Sequence, residues 1–76
     1  MNEDVVRASR DSHATAMLYS AQIALQAIKE VVENDRGPMG LDDPELAAKY
    51  DSAVKLIDVL NHQLDAISQH IGAKYN

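Results

Sequence analysis

Between Leu46 and Ile71 the chain places Leu46, Tyr50, Ala53, Ile57, Leu60, Leu64, Ile67 and Ile71 at alternating gaps of four and three. Such a 3.5-residue repeat keeps one stripe of a helix turned toward a neighbour along its whole length. The segment is therefore predicted to be a helix packed lengthwise against other helices. A second seam precedes it, at Ala14, Leu18, Ala21, Leu25, Ile28 and Val32. Met17, Ala24 and Val31 widen that stripe, while Ser20, Gln22, Gln26, Lys29, Glu30 and Glu33 take the remaining faces. Before Ala14 the line weakens, because it passes through Asp11 and Arg7.

Helix boundaries follow from punctuation. Asn2 with Glu3 and Asp4 suits a first helix starting near Glu3, whereas Asp11 and Ser12 offer a later start near His13; the longer helix is preferred. Asn34-Asp35-Arg36-Gly37-Pro38 supplies a glycine cap followed by a helix breaker, so the helix is expected to stop near Asn34. Asp43 then caps a second helix opened by Pro44 and running to about Gly72. The sequence thus predicts a single domain with helices over 3–34 and 44–72, a nine-residue connection over 35–43 and a short tail. Met39 or Leu41 is expected to fold back over the bend.

Two helices joined so briefly pack antiparallel. A lone hairpin, however, can cover only one stripe of each helix, and Val54, Leu56, Val59 and Ile23 lie outside the seams. With 76 residues and no cysteine, neither a large core nor disulfides can compensate. The expected fold is all-α: an antiparallel two-helix hairpin that dimerises, coiled-coil fashion, into a four-helix bundle. Its core and dimer seam would be built from Leu18, Leu25, Ile28, Val32, Tyr50, Ile57, Leu60, Leu64, Ile67 and Ile71. Asn61 lies beside this seam, either solvated or setting register at a dimer interface.

Composition excludes several roles. A net charge of −5 opposes nucleic acid or an anionic membrane surface as the direct partner. The sequence shows no secretory leader and no membrane-length apolar run, which makes a cytoplasmic protein the expectation. Chemistry is sparse. Asp58, His62 and Asp65 share one helix face but need a further ligand for a metal, and they lie away from the apolar seam. The run Asp11-Ser12-His13 lists hydrolase residue types, yet neighbours on a helix point about 100° apart and cannot align as a triad. His70 suits the C-terminal end of a helix dipole. Phosphate-binding loops, HExxH and the Glu-x-x-His pairs of bundle di-iron sites are all missing, so no enzyme activity, cofactor or metal is expected.

Charge is more informative than motif. Glu30, Glu33, Asp35, Asp42, Asp43 and Glu45 crowd the hairpin tip around Arg36. Apart from helix capping, such an acidic knob suits docking on a basic surface of another protein. The leading expectation is a non-enzymatic protein-protein interaction module acting as adaptor, regulator or inhibitor by occupying a partner's surface. In size and shape the chain resembles small bacterial or phage regulators and secretion co-chaperones, a resemblance of architecture alone. The alternatives are a bundle in which Ala14, Ala21 and Ala53 leave room for a small molecule oriented by Tyr50 or a histidine, or a metal-binding bundle built on Asp58, His62 and Asp65.

Overall fold

The computed structural model describes residues 2–75 and contains two helices, α1 over Glu3–Met39 and α2 over Pro44–Ala73. They form an antiparallel hairpin, a rod of 62 × 15 × 15 Å. The Asn2 side chain caps α1 by accepting from the Asp4 N–H at 2.8 Å, which places the start at the terminus and Asp11 well inside the helix. Asp43 caps α2 through the Leu46 N–H at 3.1 Å, with Pro44 at its first position as the sequence predicts. Asn76, in the expected tail, lies outside the described residues.

The first helix does not stop at Asn34. It runs through Asp35, Arg36, Gly37 and Pro38 to Met39, which shortens the expected connection of 35–43 to four residues, Gly40 to Asp43. The physical reason lies in the Gly-Pro pair itself. Proline disfavours helical backbone in the preceding residue mainly by crowding its Cβ, and Gly37 has none. Pro38 then forfeits a single bond, and the ladder closes again with Gly40 N–H donating to the Arg36 carbonyl at 2.9 Å. No glycine among the described residues has positive φ. Gly40 matters for another reason: a Cβ there would stand 2.8 Å from the Ala47 Cβ and 2.8 Å from the Arg36 carbonyl. Here the end of α1 presses against the first turn of α2. Met39 and Leu41 do not fold back over the bend, and Leu41 is 80% exposed.

The two helices meet along Ala14, Leu18, Ala21, Leu25 and Val32 from α1, as the seam predicts, but Lys29 is half-buried where Ile28 was expected. On α2 the covered line is Ala47, Tyr50, Val54, Ile57, Asn61, Leu64, Ser68 and Ile71, spaced three and four. It shares Tyr50, Ile57, Leu64 and Ile71 with the expected seam, whose Leu46 and Ala53 are half-buried at its edge and whose Leu60 and Ile67 are exposed. Ile28, Leu60 and Ile67 therefore do not close the hairpin; they stand 50%, 44% and 48% exposed. Polar anchors explain this rotation. Lys29 Nζ reaches Asp58 at 2.8 Å, and Arg36 grips Asp51 in a fork at 2.7 and 3.2 Å. Both pairs lie on one side of the rod and roll the helices toward it, which turns the adjacent apolar stripe outward.

Consequently the hairpin has almost no interior. Ala47 and Asp11 alone are buried among the described residues. Asn61 faces α1 with its Oδ1 enclosed and no hydrogen-bond partner among those residues, a cost of about 1–3 kcal/mol.

Candidate functional site: an acidic tip and a tyrosine-lined groove

Residues 30–51 hold seven carboxylates against Arg36 and Lys49, while the remainder of the chain is balanced, with five of each sign. The whole net charge of −5 thus sits in the tip half of the rod. Helix termination at Met39 and capping at Asp43 hold these groups on two rigid ends rather than on a long loop. Several acids have local duties. Asp43 caps, Glu33 lies 3.8 Å from Lys29, and Glu45 lies 3.9 Å from Lys49. Arg36 is committed to Asp51, which raises its affinity for the proton and lowers that of Asp51 through the shared hydrogen bonds. Among the described residues, no cation stands within 4.0 Å of Glu30, Asp35 or Asp42. The tip accordingly presents fixed, unneutralised carboxylates to solvent.

A different site lies at the opposite end. Asp11, only 5% exposed, accepts from the Tyr75 hydroxyl at 2.7 Å and from Lys74 Nζ at 3.4 Å, with Arg10 Nε at 3.7 Å. The Tyr75 hydrogen bond, helped by Lys74 and Arg10, holds the Asp11 carboxyl below its usual range against the opposing effect of burial. The same bond, together with burial, pushes the Tyr75 phenol up. This latch fastens the last turn of the chain across α1. The antiparallel order predicts that Val5, Val6, Arg7 and Arg10 meet Ile71, Lys74 and Tyr75 at this end, but in the seam pattern Asp11 is only a break. The signal was present: an acid on the seam line finds a phenol and an ammonium where the antiparallel register brings the far end alongside.

Beside the latch runs a groove of 610 Å³ lined by Ala8, Ser12, Thr15, Ala16, Tyr19, Ile71, Gly72 and Tyr75. Small residues on α1 and Gly72 on α2 leave the space, and two tyrosines wall it. It is not where the alanines of the seam pointed, since Ala14 and Ala21 face α2. A smaller groove of 230 Å³ lies near the tip between Val32, Leu46, Lys49, Tyr50 and Ala53.

The histidines do not converge. His13, His62 and His70 are exposed, Asp58 is paired with Lys29, and Asp65 accepts from Gln69 Nε2 at 2.8 Å. Among the described residues no cluster of three His, Cys, Asp or Glu side chains is placed to hold a metal ion, and no helix is long and apolar enough to cross a membrane. The expected tip residues share one end of the rod. The expected seam residues divide between the hairpin interface and an open face.

No family model, characterised protein or solved structure matches the chain.

Proposed function

We propose that this chain is a non-enzymatic protein-interaction module, an adaptor, regulator or inhibitor, that pairs with a second copy as a four-helix bundle and docks its acidic tip on a basic protein surface. One observation carries the reading: the entire net charge is concentrated on a rigid bend whose Glu30, Asp35 and Asp42 stand without ion-pair partners among the described residues. Fixed like charges raise encounter rates with a complementary surface and select against acidic ones. The bare hairpin, with Ala47 as its one buried apolar side chain among those described, supports a further layer of helices.

The test compares wild type with a tip-neutralised variant, Glu30→Gln, Asp35→Asn and Asp42→Asn, immobilised against lysate of the source organism. A protein held by wild type at low salt, lost at high salt and absent from the variant supports the reading, because exposed charge attraction is screened within about 10 Å at 0.1 M salt. Identical captures by both forms refute it.

The tyrosine-lined groove favours a second reading, a small apolar or aromatic ligand lying between α1 and the end of α2. A ligand screen by melting temperature checks it, since a ligand at 100 times its Kd stabilises the folded state by about 2.7 kcal/mol. Tyr19→Ala should abolish any such shift.

A further inference from the structure

The rod has two unlike long sides. Stepping about 100° per residue away from the seam, one side carries Gln22, Gln26, Lys29 and Glu33 with Asp51, Asp58 and Asp65, and it holds both inter-helix ion pairs near the middle and tip. The other side carries Met17, Ala24, Ile28 and Val31 from α1 beside Leu56, Leu60 and Ile67 from α2. On that side Met17, Val31 and Leu56 are 57%, 60% and 69% exposed. The 230 Å³ groove opens on it near the tip. Its polar margin carries Arg10 and Lys74 at the latch end, both against Asp11, and Asp35, Glu45 and Lys49 at the bend, with Lys49 3.9 Å from Glu45.

We infer that this apolar side is covered by a second copy of the chain, stacked face to face with its bend pointing the opposite way. The inference rests on the self-pairing proposed above and adds its face and direction. Two arguments fix the occupant and its orientation. A partner of the same sequence matches apolar side with apolar side about one of two two-fold axes: one along the rod, which sets α1 on the partner's α2 with the bends together, or one across it, which sets α1 on the partner's α1 with the bends apart. Bends at the same end would crowd two copies of the −5 tip; opposite bends separate them and bring Asp35, which has no ion-pair partner among the described residues, near the exposed Arg10 of the other chain. The area is also sufficient. Overlap from about Arg10 to Pro38, roughly 40 Å at 1.5 Å per residue on a rod 15 Å wide, covers about 600 Å² per copy, or about 1,200 Å² in total, the lower bound for a stable interface.

The chain has no cysteine, so an introduced thiol is unique. The experiment places a spin label at Leu41→Cys, on the 80% exposed bend, and measures inter-label distance by pulsed electron resonance, with mass by light scattering. With the two-fold axis near Ala24, the bends lie about 50 Å apart at 1.5 Å per residue. A dimer of twice 8.3 kDa with that separation, reduced to a helical monomer by Ile28→Glu with Leu60→Glu, supports the inference. A dimer with labels closer than about 25 Å overturns the orientation but leaves self-pairing intact. A dimer that survives the double substitution overturns the face, and a monomeric wild type overturns the self-pairing on which both rest.

Discussion

Alanine substitution at Gly40 should destabilise the hairpin by forcing the end of α1 away from α2. At Gly40 a new Cβ meets the Ala47 Cβ and the Arg36 carbonyl at 2.8 Å each, and the Ala47 Cα at 3.1 Å. Neither backbone atom can swing away, so the helix end must separate from α2, an overpacking cost of about 1–3 kcal/mol. The φ of −95° suits alanine, and reduced freedom in the unfolded chain returns about 0.4–1 kcal/mol. Gly40→Ala should therefore be destabilising by about 1–2 kcal/mol. For a chain of this length Gly40→Ala should lower Tm relative to wild type by roughly 4–16 °C, at about 4–8 °C per kcal/mol. Thermal unfolding by circular dichroism at one fixed protein concentration reads the difference, which keeps any association equal between variants. Equal Tm values for Gly40→Ala and wild type would refute the close approach of α1 to Ala47.

Three further outcomes are expected. Asn61→Leu should raise stability by about 1 kcal/mol or more in urea titration, because it removes an enclosed, unpartnered oxygen from the line facing α1; a loss of stability would mean that the amide has a partner. Asp11→Ala and Tyr75→Phe should each accelerate amide exchange at Lys74 and Tyr75, the former more because it also releases Lys74, and adding Tyr75→Phe to Asp11→Ala should change little; additive effects would contradict the latch. Stability should be level between about pH 5 and 9: the Asp11 and Asp51 carboxyls lie below 3.8, so their contribution is complete above that value and lost as pH falls beneath it. Tyr75 and Lys29 lie above 10.0 and 10.5, so theirs is complete below those values and lost as pH rises beyond them. A midpoint of unfolding near neutrality would point to a group outside these pairs.

Periodicity made the helices and their antiparallel order legible, because a repeat sustained over eight positions leaves one architecture open. It could not say which of two adjacent stripes on α2 would face α1. Leu60 and Ile67 are better apolar seam residues than Asn61 and Ser68, yet the latter are covered, because Lys29–Asp58 and Arg36–Asp51 set the rotation. Those pairs depend on inter-helix register, which single-helix patterns do not encode. The end of α1 was misplaced because Gly-Pro normally reads as a stop, and here the missing Cβ of Gly37 removes the clash that makes it one. The acidic tip was legible from charge order alone. Asp11 and Tyr75, separated by 64 positions, become neighbours only through the hairpin itself.

That separation sets an order of assembly. Arg36 and Asp51 close a segment of 15 positions, whereas Asp11 and Tyr75 close 64, a difference of about 1.3 kcal/mol in closure entropy at (3/2)RT ln n. Pairing beside the bend therefore nucleates first and propagates outward like a zipper, and opening proceeds in reverse. The tooth that lets go earliest carries Tyr75, one wall of the groove whose opposite wall is Tyr19. Fraying at that end would dismantle the groove while the charged bend kept its shape, so one extremity of the molecule can breathe without disturbing the other.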